Sequence, residues 1–245
     1  MARLGFGVEI GPHRVQTSVL AIGADQTIEA TIGPLDLPSG DGAEPGADSA
    51  ASDDQVVAAQ RQLAVLGHGP GVGPVHLSVW DAAWEPRLPA GPTSVAPSEL
   101  GERVQYLSDR LQRCGVTVGS YSTSTAAVSG IGPSVADAVV WTGPRTATIV
   151  RRLGDGATVA RTVARDQLPP PWRYGGLGRF PSVSAEGSER SDDLLGLLSS
   201  AGGVAGELTL AGRPLGLVAP EGARGPVPLP FAAIGAAAVA AGLDA

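Results

Sequence analysis

The chain of 245 residues contains no lysine and no asparagine: all 17 basic residues are arginine. Codon usage in a GC-rich genome explains the bias, but the chemical consequence holds whatever the cause. Without lysine there is no P-loop or kinase-type phosphate lysine and no Schiff-base lysine. Without asparagine there is no N-glycosylation acceptor. The single cysteine, Cys114, excludes an internal disulfide framework and suits a reducing compartment. G-x-S-x-G, H-E-x-x-H and C-x-x-C are all missing, and His13, His68 and His76 lack metal-ligand spacing, so no metal site is expected. Aromatic residues make up only 4% of the chain, which leaves Ala, Val and Gly to build the core.

Long apolar runs are also missing. The most apolar stretch, FAAIGAAAVAAGL (231–243), is too short to span a bilayer and is expected to be a packed helix. Met1-Ala2-Arg3-Leu4 leads straight into a strand-like run without the n-region and h-region of a signal peptide, so the cytoplasm is the expected location. The net charge of −7 is unevenly placed. Residues 25–54 hold Asp25, Glu29, Asp36, Asp41, Glu44, Asp48, Asp53 and Asp54 and no arginine, whereas 145–179 hold seven arginines against Asp155 and Asp166. A solvated sheet face accounts for this more simply than an anionic partner.

What the chain does have is a repeat. TIEATI (27–32) returns as TVARTV (158–163), Gly23 as Gly154, Leu37-Pro38 as Leu168-Pro169, and Gly11-Pro12, with one residue of slippage, as Gly143-Pro144. Such self-similarity is the first feature a fold must accommodate. Alternating, β-branched runs broken by glycine predict three strands in each copy, at 4–10, 14–22 and 26–33 and at 136–142, 146–153 and 157–164.

Both copies then continue alike. The first has an acidic Ser/Gly/Pro/Ala-rich loop (38–52), a helix over 53–67, a strand VHLSVW (75–80), a helix over 97–115 opened by a capping pattern at Ser98, and a strand VTVGS (116–120). The second has a Pro/aromatic loop (169–181), a short helix in SERSDDLLGLLSSAGG and a strand in GELTLAG. Residues 1–132 and 133–245 are thus expected to form two similar α/β lobes.

Five motifs carry a resemblance. VEIGPHRVQTSVL is a strand, an acid two residues before a glycine, a turn and a second strand. VVWTGPRTAT repeats it with Trp141 at the acid's place and Pro144-Arg145 where further glycines would stand. STSTAAVSGIG (122–132) contains Thr125-Ala126-Ala127, LTLAGRPLG (208–216) is glycine-bearing, and PFAAIGAAAVAAG (230–242) is a small-residue helix. In this order they resemble the phosphate, connecting, adenosine and final connecting motifs of the actin, DnaK-type chaperone and sugar-kinase superfamily. The resemblance implies two tandem ribonuclease-H-like (actin-like ATPase) lobes, each with a three-stranded antiparallel start followed by α/β units. It also implies a nucleotide cleft between them. The short segments between hairpins and helices imply a minimal form without the extra subdomains.

By this resemblance a nucleotide site would comprise Glu9, Gly11, His13, Thr17, Gly143, Arg145, Thr146 and Gly212, with Glu9 the one residue in a catalytic acid's place. The departures point away from catalysis. Glu9 is one methylene longer than the family's Asp, which displaces its oxygens by about an ångström and can cost on the order of a hundredfold in rate. Trp141 supplies no charge to a metal–phosphate shell, which needs carboxylates and waters. Pro12 and Pro144 remove backbone donors from both turns.

The expectation is therefore a pseudo-enzyme: a non-catalytic scaffold with a degraded cleft and no cofactor, which binds a protein partner. The alternative is a weak ATP/ADP-binding or ATPase module using Mg²⁺. A nucleic-acid reader working through Arg151, Arg152, Arg161 and Arg165 is disfavoured by the overall acidity. Candidate partner contacts are Trp80 and Trp84, flanking Asp81 near Glu85 in WDAAWEP, and Trp172, Arg173, Tyr174 and Arg179 in PPPWRYGGLGRF. Aromatic and arginine side chains dominate interface energetics, although Trp172 and Phe180 could equally cover the edge of their lobe. The glycine loop GHGPGVG follows a helix and precedes a strand, the reverse of a nucleotide loop, and is expected to be a plain connection.

Overall fold

A computed structural model describes residues 3–11, 14–34, 53–80, 97–131, 138–143, 146–152, 158–178, 198, 208–219 and 228–243. Strands β1 (Arg3–Gly11), β2 (Arg14–Ile22) and β3 (Ile28–Ile32) form the first meander. Helix α1 (Asp53–Val65), β4 (Val75–Val79), helix α2 (Pro97–Arg113), β5 (Val118–Thr123) and helix α3 (Ser124–Ser129) complete the first half. The second half opens with β6 (Ala138–Thr142), β7 (Thr146–Arg152) and β8 (Thr158–Ala164). It continues with β9 (Gly176–Gly178), β10 (Thr209–Leu210), β11 (Arg213–Val218) and helix α4 (Phe231–Ala240).

The fold is mixed α/β. Its larger sheet has the order β10-β11-β3-β2-β1-β4-β5, and its smaller one β8-β7-β6-β9. β1, β2 and β3 are antiparallel, while β4 and β5 join β1 in parallel through helical crossovers. Three antiparallel strands followed by parallel α/β units are what the repeat and the resemblance lead one to expect of the first half. The second half repeats only the meander β6-β7-β8 among the described residues.

One expectation is corrected. The strand read in GELTLAG belongs to a hairpin that leaves its own half and extends the larger sheet, with β11 parallel to β3 through Leu215↔Ile28 to Val218↔Thr31. β3 would otherwise be an open edge, and such an edge with unpaired N–H and C=O groups recruits a strand. Of the helix expected in SERSDDLLGLLSSAGG only Leu198 is described, and the acidic loop 38–52 and the last part, 179–181, of the Pro/aromatic loop lie outside the described residues.

Three cores result. α1 and α2 cover one face of the larger sheet, burying Phe6, Val8, Ile10, Val56, Leu63, Leu77, Leu107 and Leu111. The opposite face meets α3, α4 and the smaller sheet in a shared core containing Leu20, Trp80, Val128, Trp141, Leu210 and Phe231. A third cluster lies beyond the smaller sheet, around Ile149, Leu168 and Trp172.

The composition of α4 follows from its place. Phe231 to Ala238 are all buried, and the helix lies directly on the backbone of β1. A Cβ at Gly5 would come within 2.2 Å of the Ala237 carbonyl oxygen, and one at Gly7 within 2.2 Å of that of Ala233. On its other side, a Cβ at Gly235 would come within 2.0 Å of the Ala127 carbonyl oxygen on α3. Small residues on both partners let the helix and the strand approach closely, and the packed-helix expectation for 231–243 is met.

Candidate functional site

Gly11 and Gly143, the glycines of the two glycine-proline pairs, both lie against Arg14 at the boundary between the sheets. In the first hairpin the register pairs Glu9 with Gln16 and Gly11 with Arg14. Side chains alternate along a strand, so Glu9, Gly11, Arg14 and Gln16 share one face, the one turned toward the smaller sheet. In the second hairpin Trp141 pairs with Thr148 and shares its face with Gly143 and Thr146.

Across this boundary Arg14 Nη2 donates to Glu9 Oε1 at 3.0 Å, and Trp141 Nε1 donates to the same oxygen at 3.3 Å. The guanidinium carbon of Arg14 lies 4.4 Å from the centroid of the Trp80 ring and 5.6 Å from that of Trp141. The two indoles meet edge to face, 5.8 Å apart at 69°. Glu9, Arg14, Trp80 and Trp141 are all buried. Burial pulls the Arg14 guanidinium below its ordinary pKa, opposed by the charge of Glu9 and the hydrogen bond to it. A guanidinium remains protonated under such conditions, and the group is a buried, aromatic-clamped ion pair.

The turns themselves are engaged. The Gly143 N–H donates to the Thr146 carbonyl at 2.8 Å, its carbonyl accepts from Arg165 Nη1 at 3.4 Å, and Gln55 Nε2 of α1 donates to the Gly11 carbonyl at 2.7 Å. Arg14 runs between the turns: a Cβ at Gly143 would lie 2.8 Å from Arg14 Cδ, and one at Gly11 3.6 Å from its Cγ. The Arg14 stem thus packs against both glycines.

These residues do not fit a magnesium nucleotide. Among the described residues one carboxylate is present at this boundary, and it is paired with Arg14. The matching position of the second hairpin holds Trp141, which donates to that same carboxylate. Pairing is nevertheless incomplete: Glu9 Oε2, Arg14 Nε and Nη1, Trp80 Nε1 and both amide atoms of Gln16 are buried without a protein hydrogen-bond partner. Such orphaned atoms carry a desolvation cost of about 1–3 kcal/mol each.

Of the residues expected at the nucleotide site, Glu9, Gly11, Gly143 and Thr146 are brought together at this boundary. Thr17 is not. It pairs with Val8 on the opposite face of the hairpin and donates to Gln62 Oε1 of α1 at 3.1 Å, because strand alternation turns it away from Glu9. Gly212 is not either. It follows Ala211 in the two-residue turn between β10 and β11, with φ of +72° and +50°. That pair of positive φ angles is what a tight hairpin demands of its loop. Between its hairpin and β1 lie β3 and β2, which puts the two roughly 14 Å apart at ordinary strand spacing. His13 and Arg145 lie outside the described residues.

The partner surface expected from the tryptophans is corrected as well. Trp80 is buried in the clamp, and Trp172 is buried with its Nε1 donating to the Leu198 carbonyl at 3.1 Å. Neither offers a contact surface, because each ring is enclosed in a hydrophobic core, Trp80 with Trp141 and Phe231, Trp172 with Ile149 and Leu168. Arg173 and Tyr174 are exposed, with Arg173 Nε donating to the Leu168 carbonyl at 3.3 Å. Asp81, Trp84, Glu85, Arg179 and Phe180 lie outside the described residues.

Sequence reasoning missed Arg14 and Gln16. A signal was available: in a tight hairpin closed at Gly11-Pro12, a carboxylate at 9 and a guanidinium at 14 fall on one face. Among the described residues no group of three or more His, Cys, Asp or Glu side chains could hold a metal ion, and no helix is long and apolar enough to cross a membrane.

Neither protein-family profiles nor curated protein sequences give a match to this chain. Among solved structures it is similar to the Aquifex aeolicus member of the Ppx/GppA protein family, at 14% identity and a TM-score of 0.33. The match covers 67% of this chain and 51% of that one, so the chain spans about half that protein's length. At this TM-score the likeness carries no argument about function.

Proposed function

We propose that this chain is a non-catalytic scaffold of the actin/chaperone-ATPase type, with two lobes whose cleft is filled by its own side chains, and that it acts by binding a protein partner. One observation carries the reading. Arg14 lies between the turns at Gly11 and Gly143, paired with Glu9 and flanked by Trp80 and Trp141. An arginine there supplies internally the positive charge that a metal would bring, and its stem takes the space of a phosphate.

The test is thermal unfolding with and without millimolar Mg-ATP or Mg-ADP, on the natural chain and on Glu9→Ala. A ligand at a hundred times its dissociation constant adds about 2.7 kcal/mol, a rise in Tm of a few degrees for a chain of this size. The expected result is no shift in either protein. A shift in the natural chain that Glu9→Ala abolishes would overturn the proposal in favour of a working nucleotide site.

A further inference from the structure

Trp80 and Trp172 are buried, and the larger sheet offers another place to hold a partner. Among the described residues β5 ends that sheet and pairs on one side only, with β4. Its sequence VGSYST has neither charge nor proline, and Gly119, Ser120 and Tyr121 are exposed, Tyr121 to 60%. Sheets ordinarily blunt a free edge by shortening it or by placing charge or proline on it. The other described edges follow that rule: β10 has two residues, β9 has three, and β8 carries Arg161. β5 does not.

The edge is also held in place. The buried ring of His76 on β4 bonds through Nδ1 to Ser120 Oγ at 2.7 Å and through Nε2 to Ser122 Oγ at 2.8 Å. One ring thus ties two positions of the edge strand, and a pre-ordered strand loses less freedom on binding.

Beside the start of β5 is an open groove of about 440 Å³, lined among others by Leu4, Phe6, Val72, Val239, Gly119 and Ser120. Leu4 is 53% exposed, and Val72 and Val239 are each 39% exposed. Large apolar side chains gathered around a concavity mark a binding site more often than a scattered few do. The groove wall reaches the edge strand itself, since a Cβ on Gly119 would come within 2.8 Å of Pro74. Arg3, exposed and adjoining the groove-lining Leu4, donates through Nη2 to the Gly242 carbonyl at 3.3 Å, just past Val239 and Ala240 of the groove wall. Its positive charge at this rim favours an anionic group.

We propose that β5 and this groove receive an extended segment of a protein partner. The segment adds as the next strand of the sheet and seats an aliphatic side chain in the groove with a carboxylate beside it. Main-chain hydrogen bonds to the free edge supply the attachment and the groove supplies the selectivity. The inference rests on the scaffold reading above and names where that partner docks.

A phage-displayed library of random peptides, selected on the full chain, is the probe; recovered sequences are then synthesised with a fluorescent label. The expected peptides share an aliphatic residue next to an acid. They bind about tenfold or more weakly to Leu4→Glu and to Tyr121→Lys, and they bind Tyr174→Ala unchanged. Should Tyr121→Lys fail to fold, hydrogen exchange on the natural chain gives the second readout: bound peptide slows the amides of 118–123. Failure to enrich any peptide, or peptides indifferent to both substitutions and to the 118–123 amides, would overturn the docking site while leaving a scaffold that binds elsewhere. A natural chain that is dimeric and becomes monomeric as Tyr121→Lys would also overturn it, giving the edge to a second copy. Stabilisation by Mg-ATP that Glu9→Ala abolishes would instead overturn the scaffold reading, whatever the peptides do.

Discussion

Glu9 and Trp141 stand at equivalent places in the two repeated hairpins, 132 residues apart, and are joined by a hydrogen bond of 3.3 Å from the indole Nε1 to Oε1 of the carboxylate. The two halves thus meet at matching positions, each two residues before its glycine. One position supplies the acceptor and the other the donor. Arg14, on the neighbouring strand, completes the group.

Breaking the ion pair from one side is costly. Glu9→Gln leaves the Arg14 charge buried without its counter-ion and is expected to lower stability in urea unfolding by about 3–5 kcal/mol. Replacing both residues, as Glu9→Leu with Arg14→Met, is expected to recover most of that loss, because a buried, incompletely bonded pair adds little beyond an apolar filling. If the double variant is as unstable as the single one, the charges themselves are required.

Gly7 is expected to tolerate no side chain. A Cβ there meets the Ala233 carbonyl oxygen at 2.2 Å and the Ala237 nitrogen at 2.3 Å, both backbone atoms of α4. Gly7→Ala should cost about 1–3 kcal/mol by overpacking and Gly7→Val more, read as a fall in Tm. Gly69, whose added Cβ meets nothing within 4 Å, should accept alanine with a change within about 0.5 kcal/mol.

The Pro/aromatic loop divides into core and surface within three residues. Trp172→Ala should destabilise by about 3–5 kcal/mol, while Tyr174→Ala, at a side chain 44% exposed, should stay within about 0.5 kcal/mol. Equal effects in chemical denaturation would contradict the burial of Trp172.

The stability should fall on mild acidification because of His76. Burial holds its imidazole below the usual histidine pKa of 6.5, so the unfolded chain takes up a proton before the folded one does. Between the folded pKa and 6.5 the unfolded state binds more protons, and stability rises with pH across that window. The Tm of the natural chain should therefore drop as pH goes below about 6.5, and the drop should be shallower in His76→Gln. An identical slope in the variant would place the titration elsewhere.

Much of the framework is legible in the sequence. Glycine-proline breaks and period-two alternation located the meanders at 4–33 and 136–164, and the small-residue run at 231–243 announced a helix in close contact. Local pattern sufficed because hairpins pair neighbours in sequence, so their register follows from the turn. The helices over 53–65 and 97–113 likewise followed from spacing and capping.

The remainder lay beyond local pattern. β11 pairs with β3 across most of the chain, a choice set by which edge was open and not by anything in LTLAGRPLG. Trp80 and Trp172 looked like exposed anchors, but a tryptophan's side is decided by the elements that close over it from elsewhere. Arg14 shows the same division. Its face was set by the hairpin at Gly11, and the sequence alone reached that far. That this face would meet Trp141 and Gly143 depended on two sheets packing across a shared core, where burial and charge pairing act between residues far apart in the chain.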